Sequence, residues 1–153
     1  MSVMRDLNRK VRVGVLAMGA LLGSTELLAN EAETPHEFNG IMKDLGDHMV
    51  GITEGITRED WIRVADHARA IADHPRPPMT ERVRIMAFAG TEVAKFKEFD
   101  AEVHNAAADL VDEAAGGDGS AIVASFGRLQ NGCLDCHAAF RSSYREHFLG
   151  DGD

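Results

Sequence analysis

The chain has no run of alternating β-branched and polar residues after about residue 30, and it has only two cysteines. A period of two marks a half-buried strand, so its absence, together with segments rich in Ala, Glu, Asp, Arg and Met, predicts an all-α fold. A structural zinc site needs four ligands, and no second cluster of Cys or His accompanies the cysteine pair. The composition suggests neither a repeat array nor a second domain, so we expect one globular domain.

The N-terminal segment also lacks an apolar run long enough to span a membrane. Residues 13–22 are apolar for roughly ten positions, about half of the roughly 20 that a membrane-spanning helix requires. Four basic residues precede this run and polar residues follow it, which is the pattern of a secretory signal peptide. We therefore expect cleavage after Ala29, which divides the chain into a signal peptide, residues 1–29, and one domain, residues 30–153.

The chain is acidic, with a formal net charge of −9. The expected signal peptide carries four basic and two acidic residues, so its removal makes the chain about two units more negative. Such a surface disfavours nucleic acid and anionic membranes as partners. The short apolar run predicts no stable membrane insertion after the signal peptide is removed. It would suit a basic docking partner, although a generally soluble surface explains the same charge.

Turn signals divide the domain into four helical segments, which predict an antiparallel four-helix bundle. The hydroxyl of Thr57, with Asp60 three residues on, predicts the N-terminal cap of the second segment, and the Pro-rich residues 74–78 end it. The third segment is long, and we expect it to bend or break near Gly90. The predicted segments are residues 35–54, 58–73, 80–114 and 120–148.

The first and fourth segments carry apolar residues at spacings of three and four, and the third carries an apolar side, which is the pattern of helices with one buried side. The first stripe is Phe38, Met42, Leu45, Met49 and Ile52. The third is Val83, Met86, Ala87, Val93, Ala94, Val103, Ala107 and Leu110, and the fourth is Ile122, Phe126, Leu129, Cys133, Cys136 or His137, and Phe140.

Residues 133–137 have the sequence Cys-Leu-Asp-Cys-His, which is the C-x-x-C-H attachment signature of c-type haem. Cys133 and Cys136 are three apart on a helix, so they face one side and can present two thiols to two vinyl groups of one porphyrin. His137 then lies where an imidazole nitrogen can reach the iron. The motif predicts one haem, attached through two thioethers.

Other interpretations of the cysteine pair are weaker. A thioredoxin-like dithiol requires C-x-x-C at the start of a helix that follows a strand, whereas this pair lies deep inside a helical segment. A disulfide across a two-residue spacing in a continuous helix would have poor geometry and would gain little entropy.

The position of the motif in the last helix of a bundle, with Phe140 and Arg141 after it, resembles the cytochrome c-prime family. That resemblance implies a periplasmic electron carrier, not an enzyme, with His137 as an iron ligand. Arg141 is one turn beyond His137, a position that allows it to lie against the haem edge, and a solvated arginine is the alternative. The first helix of the family supplies the residue on the other side of the iron, and Met42 matches that position. A methionine there resembles the low-spin, six-coordinate branch, similar to cytochrome c-556. The resemblance also implies redox partner proteins and allows a homodimer formed through the first two helices.

The resemblance leaves alternatives open. Methionine at helical spacing is commonly core filler, and Met49 is a second candidate ligand on the same face, about 10 Å further along. Phe38 stands where many relatives have an arginine for a haem propionate. Five-coordinate relatives bind NO or CO instead of carrying electrons, so a gas-binding protein is the alternative function. A peroxidase or a thiol oxidoreductase has no supporting motif. The histidines at positions 36, 48, 67, 74 and 104 are expected to be solvated or locally hydrogen-bonded.

Overall fold

The computed structural model describes residues 36–150, and all the regular secondary structure in that range is helical. None of the helices in the described range is long and apolar enough to cross a membrane. The expected signal peptide, residues 1–29, lies outside the described residues and stays a prediction. The helices are α1 (His36–Thr57), α2 (Trp61–Ala72), α3 (Met79–Ala89), α4 (Val93–Gly116), α5 (Gly119–Cys136) and α6 (Ser142–Leu149).

The architecture is a four-helix bundle, as the sequence predicts. A single 3₁₀ turn, Gly90–Glu92, joins α3 to α4, and a π-helical turn, His137–Arg141, joins α5 to α6, so six helices make four long segments. Helix α1 packs on α2, α2 on α4 and α4 on α5, whereas α1 and α5 make only sparse contact. The fourth side of the bundle is therefore partly open.

The turn between α1 and α2 corrects the predicted helix cap. Helix α1 continues to Thr57, whose hydroxyl donates a hydrogen bond to the Glu54 carbonyl (2.9 Å). The N-cap of α2 is Asp60, whose side chain accepts a hydrogen bond from the Arg63 amide (3.1 Å). A carboxylate at this position satisfies a free amide of the first turn and also interacts favourably with the helix dipole.

Gly90 breaks the third segment as predicted, and the break changes which residues are buried. Gly90 has a φ of +53°, a conformation that costs glycine little. The turn shifts the rotational register, so the predicted stripe is wrong before it: Val83 and Ala87 are exposed, and Ile85 and Ala89 are buried instead. Beyond the turn Ala94 is exposed too, and the stripe holds at Ala107 and Leu110.

The hydrophobic core lies at the end of the bundle where the α1–α2 and α4–α5 connections are. All four bundle helices contribute to it. Gly51 leaves room for the His67 ring of α2, which a Cβ at position 51 would clash with. The large, fully buried side chains of this core are Ile52, Val64, Ile71, Leu110, Ile122 and Leu129.

At the opposite end, α3 packs against α6 through aromatic rings. The Phe88 ring lies 5.8 Å from that of Tyr144 and 5.6 Å from that of Phe148, measured between ring centroids. Tilted and edge-to-face pairs at these separations are favourable arrangements of aromatic rings. These contacts hold the C-terminal segment beside the start of α1, because Phe38 also contacts Tyr144 (5.5 Å).

The position of the core predicts unequal effects for two isoleucines. Ile52→Ala should lower the free energy of unfolding by about 3 kcal/mol, because Ile52 is fully buried and its loss leaves a cavity. Ile62→Ala is the control, since Ile62 is 78% exposed, and it should change stability by less than about 0.5 kcal/mol. Urea unfolding of the three proteins measures both, and equal losses would contradict the assigned core.

Candidate functional site

Cys133 and Cys136 lie in the last turns of α5, and His137 follows as the first residue of the π-helical turn. Both cysteines are free thiols and are half-buried. All three side chains line one cavity of about 420 Å³, which we call the thiol cavity. The structure therefore brings together the three residues of the predicted haem motif on one wall.

The thiol cavity lies between α1, α4 and α5, where the bundle is open. Its volume lies within the range of about 300–1,000 Å³ that is usual for sites of small molecules and cofactors. The wall is mainly apolar. Helix α1 supplies Phe38, Met42, Leu45 and Met49, and α4 supplies Phe96, Phe99 and Val103.

The environment of the two thiols disfavours dithiol redox chemistry. Burial raises the pKa of both cysteines, and the charges of Asp100 and of the other cysteine add to the effect at Cys136, whose pKa is raised to about 11. Reactive dithiols have the opposite property, a depressed thiol pKa at a helix N-terminus or beside a cation. Here the pair lies at the C-terminal end of a helix, which gives no such help.

His137 and Arg141 face a second cavity of about 520 Å³, which we call the arginine cavity. The His137 ring is open to both cavities, and burial together with the nearby Arg141 charge lowers its pKa. The π-helical turn begins at His137, directly after the second thiol. Such turns are rare and occur frequently at functional sites, because they re-aim side chains within a helix.

The structure distinguishes the two candidate methionine ligands. Met42 lines both the thiol cavity and the arginine cavity, as His137 does. Met49 lines the thiol cavity alone. Met79 and Met86 line neither of them. Among the methionines of the described residues, Met42 is therefore the one that lines both of the cavities that His137 lines.

Two side chains from other helices hold the start of α1, one turn before Met42. The carboxylate of Glu81, on α3, accepts hydrogen bonds from the amides of Glu37 (3.2 Å) and Phe38 (2.9 Å). These first-turn amides have no partner within the helix, so a carboxylate there caps it. On the other side the Tyr144 hydroxyl, on α6, donates to Asn39 Oδ1 (3.1 Å).

Sequence patterns place no histidine other than His137 at the site, yet His74 lies in the wall of the thiol cavity. His74 is half-buried, and its ring stacks on that of His104 with centroids 4.5 Å apart. His48 and His67 form a separate pair with their Nδ1 atoms 3.0 Å apart. The sequence carries one signal of the arrangement around His74 and His104. Asp100 and His104 have an i, i+4 spacing, which places both side chains on one face of α4.

The residues present fit a covalently bound haem. Two thiols three residues apart, an imidazole and a largely apolar gap between helices are the groups that such a cofactor requires. Cys133 and Cys136 would hold the porphyrin edge, and His137 would supply a nitrogen ligand.

Comparison with known families supports a haem site formed by Cys133, Cys136 and His137. Residues 89–141, about a third of the chain, match the family model described as Cytochrome C'. The matched segment runs from the end of α3 through the two cysteines and His137 to Arg141. The match supports the cytochrome c-prime family and a haem c protein. Searches of curated proteins and of solved structures found no match.

The anchoring of α1 predicts an unusual tyrosine titration. Burial, with the nearby Glu81 carboxylate, raises the pKa of Tyr144 from 10.0 to about 12. Its hydroxyl is protonated to a higher pH in the folded than in the unfolded chain. The stability this contributes is complete below about pH 10 and is lost as pH rises toward about 12. Tyr144 is the single tyrosine in the chain, so tyrosinate absorbance reports it directly.

In the Tyr144→Phe variant the tyrosinate signal should disappear, and the loss of stability over this pH range should become smaller. A midpoint near pH 10 in a chain that is still helical by circular dichroism would show that Tyr144 is not held as described.

Proposed function

We propose that the protein is a periplasmic electron-transfer cytochrome with one haem c, whose iron has His137 and Met42 as axial ligands. The observation that carries the proposal is that Met42 and His137 line the same two cavities, beside both thiols. A haem bound there supplies one-electron chemistry, and thioether ligation raises its reduction potential relative to two histidines.

The thiols are suited to attachment. Each can add across a vinyl group, with its sulfur bonded to one carbon and its hydrogen to the other, so no oxidant is consumed. Burial raises the pKa of Cys133 and of Cys136, which disfavours the thiolate that disulfide formation requires. Their half-buried position on the cavity wall keeps them facing the place where the porphyrin edge would lie.

Met42 is positioned by the start of α1. Glu81 and Tyr144 fix the first turn of the helix from two sides, and Met42 follows one turn later. A fixed backbone leaves the flexible methionine side chain to adjust to the iron. This arrangement supports ligation by Met42 in preference to core filling.

Phe38 occupies the place where many family members have an arginine for a propionate, and it contacts Tyr144. The arginine cavity offers cations elsewhere: Lys43 from α1, and Arg141 and Arg145 after the motif, all line it. We propose that Arg141 lies against the haem edge, where a planar guanidinium can pair with a carboxylate. Redox partner proteins, export to the periplasm and a homodimer remain part of the proposal.

The experiment that tests the function is a comparison of optical and EPR spectra of the mature protein made with attached haem c. A low-spin ferric signal, a methionine-to-iron charge-transfer band and slow CO uptake by the reduced protein would support electron transfer. A high-spin signal with immediate CO binding would overturn Met42 ligation and would favour the gas-binding alternative.

Substitution of the two methionines gives a matched test. Met42→Ala should produce high-spin ferric haem, rapid CO binding and a lower reduction potential, because the sulfur ligand is lost. Met49→Ala removes the same side chain from the same helix face and should leave the haem low-spin. If Met49→Ala gives the high-spin form and Met42→Ala does not, the ligand assignment is reversed.

Cysteine substitution tests the attachment. The double variant Cys133→Ser, Cys136→Ser should release all its haem into acidified organic solvent, whereas each single variant should retain one thioether and a shifted haemochrome band. Leu134→Ala, between the cysteines and 62% exposed, is the control and should keep both bonds. Haem that stays attached in the double variant would contradict the assignment.

A further inference from the structure

A second group of potential metal ligands lies where the connection after α2 meets α4. His74 belongs to that connection, and Asp100 and His104 lie one turn apart on α4. The His74 Nε2 atom is 4.0 Å from Asp100 Oδ1, and the His104 Nε2 atom is 3.8 Å from Asp100 Oδ2. One ligand atom from each of the three residues lies within 4.8 Å of the others.

The hydrogen bonds of the two rings determine which nitrogens are free. His104 Nδ1 is hydrogen-bonded to the Ala72 carbonyl oxygen. His74 Nδ1 is hydrogen-bonded to the Pro75 carbonyl oxygen, with 3.0 Å between the two atoms. A carbonyl oxygen can only accept, so both Nδ1 atoms carry the proton and donate. In the neutral rings both Nε2 atoms therefore keep a lone pair. A backbone carbonyl behind the far nitrogen is the usual support of a histidine that binds a metal.

The free groups then form a set of acceptors with no donor among them. Two Nε2 atoms and a carboxylate converge, and either a proton on one of the rings or a bound cation relieves the repulsion between these acceptors. Within residues 36–150, no lysine or arginine forms an ion pair with Asp100. The cluster has ligand groups on three sides. Arg76, Arg82 and Lys97 line the cavity beside it, but none of them forms an ion pair with Asp100.

The two histidines are held in place before any ligand arrives. The His74 side chain is only 11% exposed and that of His104 is 32% exposed, and their rings stack at an interplanar angle of 22°. Three prolines, at positions 75, 77 and 78, restrict the backbone after His74. The Asp100 side chain, by contrast, is 58% exposed and can move toward a bound ion.

We propose that His74, Asp100 and His104 bind one divalent cation of the first transition series, with Zn²⁺ as the probe. Imidazole and carboxylate ligands suit such ions, and three protein ligands leave a position for water. Ligands about 2.0–2.1 Å from a shared tetrahedral ion are about 3.3 Å apart. The separations of 4.0 and 3.8 Å must therefore close by about 0.5–0.7 Å, and a pair at the 4.8 Å limit by about 1.5 Å. None of its three residues belongs to the assigned haem ligands, but His74 and Asp100 also line the thiol cavity, so the two sites share a wall.

The test is calorimetric titration of Zn²⁺ into the haem-loaded mature protein, with metal analysis after dialysis. The wild-type protein should retain one Zn²⁺ per chain. Asp100→Asn should weaken binding at least tenfold, because it removes the anionic ligand with little change in shape. His104→Asn should do the same, since its amide nitrogen can still donate to the Ala72 carbonyl but no nitrogen remains at the Nε2 position.

Asp109→Asn is the matched control, because it makes the same charge change at an exposed position of α4. It should bind Zn²⁺ as the wild type does. The proposal is overturned if the wild type retains no Zn²⁺, or if Asp109→Asn weakens binding as much as Asp100→Asn. A His74→Asn variant that loses low-spin haem would also overturn it, because His74 would then be an iron ligand.

Discussion

The hydrophobic core at one end of the bundle allows the other end to stay open. Helices α1 and α5 make sparse contact, and what holds them in one structure is the burial of side chains such as Ile52, Leu110 and Ile122 near the α1–α2 and α4–α5 connections. Burying such side chains contributes about 1.5–3 kcal/mol each, before the entropy of ordering is counted. A gap lined by apolar residues would otherwise close, because apolar surface favours contact. The thiol cavity depends on this division of the bundle.

The same burial that forms the cavity sets the chemistry of its thiols. Apolar surroundings disfavour a thiolate, and the Asp100 carboxylate disfavours it further at Cys136. The two cysteines are therefore neutral groups on an apolar wall, which suits attachment of a flat apolar cofactor and not disulfide exchange. Family similarity over residues 89–141 and the local electrostatics point independently in this direction.

Two neighbouring sides of α4 contribute to two different groups of residues. Phe99 and Val103 are apolar parts of the thiol cavity, while Asp100 and His104 face His74. The alternation follows from the helical repeat, since neighbouring positions differ by about 100° around the axis and positions three or four apart return to the same side. A cation bound by the second group would therefore lie close to the haem-binding wall.

The sequence by itself determined the all-helical class, the four segments, the break at Gly90 and the grouping of the two thiols with His137. Each of these depends on residues that are near neighbours in the chain, through helical periodicity, proline and glycine geometry, or the turn of one helix. Only the tertiary structure decided the rest. It placed Met42, and not Met49, on both of the cavities that His137 lines, because that depends on how α1 lies against α5. It also brought His74 to Asp100 and His104, because distances between segments are set by packing of the whole bundle, which the spacing of residues along the chain does not encode.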